Sequence, residues 1–436
     1  MRKFFSLKGI ILLLIAALLA GCGANGDDAA GNETGSATGS SNEPVDLYLY
    51  SASGGSPEWF ETNYGKYLKE EFPHINFNVY FPSDVTIQDY IASGEPLDIV
   101  FGSFTTIYQN LINLNLQTDI SDEIKAHNID LDKIDPAVIG LMRQLADGGI
   151  YGLPAFIGTS GLYYNKDIFD KFAVEYPTDD MTWDDVYDLA VKLTRSDGGE
   201  QYYGFANDNR NYIIYNQLSL DMVDPETLTA AFNTDDWARL IQTFARFMTI
   251  DGLDPNEATV AAFNTVGNVA MATNYTGCCG ATPGDAVTNW DVVRIPDYPG
   301  RPNVGPQVVP NYWNMSSISQ NREAAFEVIA YIVSEEFQTS LNSRGLATVL
   351  RDTDLHAQYG SELPFYNGKN VKALFPKPAA ESSNVTEYHI EAAAEINNAL
   401  NQVALEGIDV NTALRTAAER LNQTIQAAEA AKSEGK

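Results

Sequence analysis

The chain has 436 residues, 44% of them hydrophobic and 11% aromatic, which places it among folded globular proteins. Its formal net charge of −31 repels phosphate backbones and anionic headgroups, so nucleic acid binding and polybasic docking to a membrane surface are excluded as routes to function. Three cysteines and four scattered histidines (His74, His127, His356 and His389) offer no zinc-ligand spacing, and no metal or other cofactor is expected.

In chain order, Arg2, Lys3 and Lys8 precede an apolar run at 10–20 that is too short to be read as a membrane-spanning helix. The run closes on Leu19-Ala20-Gly21-Cys22, which resembles the lipobox of bacterial lipoprotein signal peptides. The resemblance implies that 1–21 is a signal peptide, that Cys22 is acylated, and that the protein is lipid-anchored on the outer face of the cell membrane. The alternative is an ordinary secretory signal in which Cys22 is incidental. Removing 1–21 takes away Arg2, Lys3 and Lys8 and no carboxylate, leaving −34. Residues 22–44 contain almost nothing apolar after Cys22 and read as a flexible tether, since such composition cannot offset the entropy of ordering it.

Residues 45–50 alternate apolar and polar and predict a first strand. Ser56 is placed to cap a helix with Pro57 at its first position. Phe60, Tyr64, Tyr67 and Leu68 follow at helical spacing, and Pro73 ends the element. Residues 76–81 predict a second strand, a short helix leads to Gly94, and 97–101 form an apolar strand carrying one carboxylate, Asp98. This alternation predicts a mainly parallel sheet covered on both faces, with ligand at the carboxyl ends of its strands. Further on, a strand is predicted at 161–165, a helix from Thr182 with a capping-box-like Asp185, and helices at 237–248 and 258–263. A strand at 269–273 and another at 311–318 follow, then a helix at 324–333 and two Ala-rich helices at 388–405 and 410–430.

Several blocks carry a resemblance. Leu97-Asp98-Ile99-Val100 is similar to the "PDI(V/I)" strand of the extracellular solute-binding proteins of family 1, the maltose-binding-like group. Tyr151-Gly152-Leu153-Pro154, with Leu162-Tyr163-Tyr164-Asn165-Lys166-Asp167 and Phe169, resembles that family's "YG(L/I)P…LYYNKDLF" block. Pro177 with Thr182-Trp183-Asp184-Asp185 resembles "P.TWDEL", and Phe263 with Gly267-Asn268-Val269-Ala270-Met271 resembles "F..G..AM". Trp313 to Ile318 and the Ala324-Ala325-Phe326-Glu327 helix match its late strand and helix. The blocks are collinear across 45–430.

The resemblance implies an α/β, two-lobed periplasmic-binding-protein-like fold of type II, each lobe a mainly parallel sheet flanked by helices. Residues 45–155 with 300–344 would form the N-terminal lobe, and 156–299 with 345–436 the C-terminal lobe. It further implies a non-enzymatic, monomeric receptor that closes by a hinge on a carbohydrate, such as an oligosaccharide, and delivers it to the membrane permease subunits of an ABC importer. Tyr151 to Pro154 is expected to cross between the lobes. Asn165-Lys166-Asp167 reads as a strand-ending turn rather than a catalytic pair. Trp183 reads as a packing residue, and Tyr163-Tyr164 as strand residues rather than ferric-iron ligands.

Sugar binding requires flat apolar faces and planar polar groups for hydroxyls. Candidates are Trp59 after the first strand, Ser103 and Thr105 after the third, and Phe156 between two family blocks. Asn209, Arg210 and Tyr212 come from a polar loop, and Tyr312 and Trp313 from the late strand. Gly102 stands where relatives often carry a Trp. Asn274, Tyr275, Cys278 and Cys279 form the most distinctive loop. There, a ring disulfide between the adjacent cysteines, beside Tyr275, is expected to replace the missing aromatic platform; two free thiols are the alternative. Tyr388 is a weaker candidate.

Other readings remain open at this level. The same fold can take a peptide, polyamine, thiamine-like molecule or metal. An exported glycosidase would need a paired acid and nucleophile, which no pattern among the 58 acidic residues singles out.

Overall fold

The computed structural model describes residues 44–206, 210–276, 286–375 and 378–434, with 274–276 and 434 described in their backbone alone. Twelve strands occur in the described residues: β1 (Val45–Ser51), β2 (Ile75–Tyr80), β3 (Ile99–Ser103), β4 (Gly152–Ile157), β5 (Thr159–Asn165), β6 (Arg195–Asp197), β7 (Glu200–Tyr202), β8 (Val223–Asp224), β9 (Thr229–Ala230), β10 (Met271–Thr276), β11 (Trp290–Arg294) and β12 (Pro310–Met315). Five of them build a sheet of order β2-β1-β3-β12-β4, and three build a second sheet of order β10-β5-β11.

In the first sheet, β1 pairs in parallel with β2 and β3, while β12 is antiparallel to both β3 and β4. Four strands therefore run one way and β12 alone runs back. The pleat sorts its residues by face. Leu47, Leu49, Ile99 and Phe101 enter one core with Trp313 and Phe326. Tyr50 and Val100 point to the opposite face, against Ile87, Tyr90 and Leu111. The carboxylate of Asp98, fully buried, is satisfied by the Tyr48 N–H at 2.9 Å and the Ser319 hydroxyl at 2.6 Å.

The second sheet departs from the expected mainly parallel arrangement: β10 and β11 are both antiparallel to β5. The reason is the chain's route. β5 carries the backbone away from the first sheet, and both partners bring it back, so Thr276 ends opposite Thr159 and Arg294 opposite Gly161. A separate core forms against this sheet from Trp183, Phe205, Phe244 and Phe247, joined by Ile396, Leu414 and Leu421 of the two C-terminal helices, His389–Leu405 and Val410–Glu434.

Local signals account for the helix starts. Ser56 accepts the Trp59 N–H at 3.2 Å with Pro57 in the first turn. Thr182 and Asp185 form a reciprocal capping box at Trp183–Leu193. Asn165 caps Lys166–Lys171 by accepting the Asp167 N–H at 3.1 Å, and its amide donates to the Gly267 carbonyl at 3.1 Å. The Asn-Lys-Asp block is thus a strand-to-helix turn. Trp183 is fully buried, its indole N–H on the Gln217 side-chain oxygen at 3.0 Å. Tyr163 is buried, and burial holds its phenol well above its ordinary pKa; that of Tyr164 is pushed up to about 12, chiefly by burial. Neither phenol is poised as a phenolate.

Candidate functional site

The backbone first passes from the first sheet to the second through a single residue, and it returns through 295–309 between β11 and β12. β4 ends at Ile157, β5 begins at Thr159, and Gly158 lies between them. The expected crossing at 151–154 is corrected accordingly: Gly152 to Ile157 is a fully buried strand of the first sheet, held there by pairing with β12. Three segments are bonded together at the switch. Gly158 donates its N–H to the Val309 carbonyl at 3.0 Å, and Ile157 donates to Ala347 at 3.1 Å. Few short strands joined by backbone bonds are what a hinge needs, because only a few dihedrals have to change.

Just beyond the carboxyl ends of β1 and β3 lies a cluster of hydroxyls. The Ser53 Oγ accepts the Ser103 N–H at 2.7 Å and lies 2.8 Å from the Thr106 Oγ1. The Ser103 Oγ is 3.1 Å from both the Thr105 and the Thr106 hydroxyls. Ser53 is exposed, and Ser103, Thr105 and Thr106 are half-buried. Gly102 makes this packing possible. A Cβ there would fall 2.7 Å from the Ser53 Oγ and 2.8 Å from the Thr106 Oγ1, so a bulky residue at 102 and this hydroxyl group exclude each other. Trp59, half-buried, stands beside the loop after β1 with its ring edge-on to Tyr64 at 5.7 Å.

Aromatic rings pack beside this cluster. Tyr215, half-buried, packs against both main cores. Its ring meets Phe104 edge-on at 5.9 Å and stacks on His389 at 6.2 Å, while Phe104 meets His389 edge-on at 5.8 Å. Phe104 begins the short helix after β3, and His389 begins the long helix His389–Leu405. The three rings therefore join the end of the first sheet to the helices packed on the second. The buried Gln307 holds this junction. Gln307 donates its backbone N–H to the Tyr215 carbonyl at 3.1 Å and its amide to Asn216 at 3.0 Å, and accepts the Ser383 N–H at 2.8 Å.

His389 is 7% exposed, and among the described residues neither ring nitrogen has a hydrogen-bond partner. Burial pushes its pKa down to about 4, so the ring is neutral at pH 7, one nitrogen donating and the other accepting. The hydroxyls of Ser160 and Thr273, on β5 and β10 beside the switch, are likewise buried without a partner among the described residues.

The sequence-based candidates separate into three groups. Trp59, Ser103 and Thr105 stand at the strand ends beside the switch, and Arg210 is exposed at the start of the helix Arg210–Ile214. Four others are corrected to core residues. Phe156 and Tyr312 are buried in the first sheet, where the Tyr312 hydroxyl donates to the Val138 carbonyl at 2.6 Å. Trp313 is 1% exposed and stacked on Phe101. Tyr212 is buried edge-on to Trp183 at 5.6 Å. Strands covered on both faces turn aromatic side chains into cores, not clefts. Tyr388 is also buried, with its hydroxyl on Glu429.

The third group cannot be placed by side chain. Cys22, Asn209, Cys278 and Cys279 lie outside the described residues. Asn274 and Tyr275 are described by backbone register alone, opposite Gly161 and Ser160 and so close to the switch. Phe104, Tyr215 and His389 were not among the candidates chosen from the sequence. The one available signal was a lone histidine at the head of an Ala-rich helix.

With this geometry in hand, comparison with known proteins is informative. The profile of a family described as bacterial extracellular solute-binding protein matches residues 52–339. A candidate binding protein of Brucella abortus is 32% identical over 134 residues, which span 29% of this chain and 30% of that protein. The chain thus matches less than a third of the length of that curated relative. Among solved structures, an open-form sugar transporter from Rhizobium etli is 21% identical, with a TM-score of 0.71 over 86% of this chain and 99% of its own. An ABC substrate-binding protein from Listeria monocytogenes in complex with cycloalternan is 19% identical, with a TM-score of 0.68 over 88% and 100%. A cyclic α-maltosyl-1,6-maltose binding protein from Arthrobacter globiformis is 16% identical, with a TM-score of 0.68 over 88% and 99%. These likenesses show a shared two-lobed type II fold.

Proposed function

The chain belongs to the bacterial extracellular solute-binding proteins, and from that membership we propose that it captures a carbohydrate between its two lobes and hands it to an ABC permease. The observation that carries the ligand class is the cluster of hydroxyls on Ser53, Ser103, Thr105 and Thr106 at the carboxyl ends of β1 and β3, with the half-buried ring of Tyr215 packed on the neighbouring Phe104. Hydroxyls can exchange bonds with ring hydroxyls, while aromatic faces cover the C–H side of a sugar. Neither the hydroxyl cluster nor the rings beside it are built around a paired charge. The lobes would divide at Gly158, with 45–155 and 300–344 forming most of one and 156–299 and 345–436 most of the other.

An oligosaccharide is the favoured ligand, in keeping with the cyclic saccharides named for two structures of like fold. The protein is further read as a lipid-anchored, monomeric receptor, held by acylated Cys22 through the tether 22–44, that does no chemistry on its ligand. Thermal-shift measurements with maltose, cycloalternan, D-mannitol, spermidine and Zn²⁺ test the ligand class. A carbohydrate at 100 times its Kd should stabilise the fold by about 2.7 kcal/mol, while spermidine and Zn²⁺ leave it unmoved. A rise with spermidine or Zn²⁺ alone would transfer the protein to the non-sugar branch. Loss of radiolabelled palmitate on Cys22→Ser tests the anchor, and intact recovery of the incubated saccharide tests the absence of catalysis.

A further inference from the structure

The imidazole of His389, 7% exposed, lies at the junction of the lobes with no hydrogen-bond partner for either nitrogen among the described residues. A buried donor or acceptor left unpaired is costly, by an amount comparable to that of a lost hydrogen bond. The surrounding rings of Phe104 and Tyr215 offer it contact but no acceptor at hydrogen-bond distance. Its position is set by rigid parts: the helix His389–Leu405 on one side and the end of β3 on the other.

We propose that His389 is the specificity-determining residue of the cleft, hydrogen-bonding two neighbouring ring hydroxyls of a neutral carbohydrate, one through each imidazole nitrogen, while Phe104 and Tyr215 pack on the imidazole and hold its plane. The inference rests on the carbohydrate reading above and adds to it the residue that reads the sugar. A neutral imidazole presents one donor and one acceptor, which suits hydroxyls, since each can both give and accept. It does not suit a carboxylate or phosphate, which needs donors on both sides. When the lobes close with no hydroxyl in place, both nitrogens are dry; with the sugar present, both are satisfied. The ligand thereby favours the closed state through a contact it makes only there, as ligand-driven closure requires.

The test uses the full-length protein and whichever of maltose, cycloalternan and D-tagatose binds it most tightly by calorimetry. His389→Phe keeps the ring contacts and removes both nitrogens; affinity should fall at least about tenfold, the equivalent of one lost hydrogen bond. His389→Gln, which restores a donor and an acceptor, should stay within about threefold of the wild type. Unchanged affinity in His389→Phe overturns the inference and leaves the carbohydrate reading standing. If that variant does not fold, the ¹⁵N signals of the wild-type His389 ring decide: a shift of both nitrogens on saturation with the same sugar supports the assignment, and no shift overturns it. If none of the three sugars binds the wild type, the carbohydrate reading falls and this inference with it.

Discussion

Trp313 stacks on Phe101 across the β12–β3 ladder, with ring centroids 4.8 Å apart and planes inclined by 22°. The two are cross-strand partners on one face of the first sheet, and Tyr64 closes over the indole at 5.0 Å. Trp313→Ala should therefore destabilise the fold by about 3–5 kcal/mol through the cavity it opens. Urea unfolding measures this. A loss below about 1 kcal/mol, with weakened ligand affinity, would return Trp313 to the cleft.

Gly102 sits where a side chain would collide with the Ser53 and Thr106 hydroxyls. Gly102→Ala should cost about 1–3 kcal/mol by overpacking and weaken sugar binding as the hydroxyl cluster spreads. Calorimetry on the folded variant checks the second part; binding at wild-type strength would show that the cluster is not part of the site.

His389 also leaves a signature in stability. Its pKa is about 4 when folded, lowered by burial from an ordinary value of 6.5. As pH falls below 6.5 the unfolded chain takes up the proton first, so stability falls between pH 6.5 and about 4. The half-buried ring of His356, its pKa likewise lowered by burial, adds a contribution of the same sign. In His389→Phe the slope of melting temperature against pH should flatten across this window. An unaltered slope would mean that the imidazole is hydrated in the native state.

The capping box at Trp183–Leu193 gives a prediction at lower pH. Asp185 accepts the Thr182 N–H at 2.8 Å and the Thr182 hydroxyl at 2.7 Å, and these bonds lower its pKa below the usual 3.8. Its contribution is present above pH ~4 and lost as pH falls through the depressed folded value. Thr182→Ala should cost about 1 kcal/mol at pH 7 and progressively less below pH ~4. Equal costs at pH 7 and pH 3 would remove the carboxylate from the explanation.

Cys278 and Cys279 follow a strand whose residue Tyr275 pairs with Ser160 beside the switch. A ring disulfide serving as a ligand platform predicts that the unreduced protein weighs two hydrogens less than the dithiol. Tyr275→Ala and mild reduction should each weaken the sugar about tenfold. Two free thiols by mass spectrometry would end the platform idea.

The α/β character was legible in the chain because it depends on local patterns: alternation at 45–50, the apolar run at 97–101, and the caps at Ser56, Thr182 and Asn165; the division into two lobes came from the family resemblance. Each acts within a few residues, so it can be read without knowing what packs against it. Which aromatic residues face a ligand was not legible. Trp313, Tyr312, Phe156 and Tyr212 have the chemistry of a sugar platform, yet their strands and helix are covered on every side, which is a property of the assembled layers. The direction of β10 and β11 was hidden for a similar reason, since it follows from where β5 leaves the first sheet. His389 is the clearest case. Nothing around it in sequence marks it, and only the meeting of Phe104, Tyr215 and the helix His389–Leu405, 285 positions from the first to the last ring, shuts its two nitrogens away from water. Tertiary structure decided this, because burial is set by neighbours distant in the chain, and burial is what turns an ordinary side chain into a costly one that needs a partner.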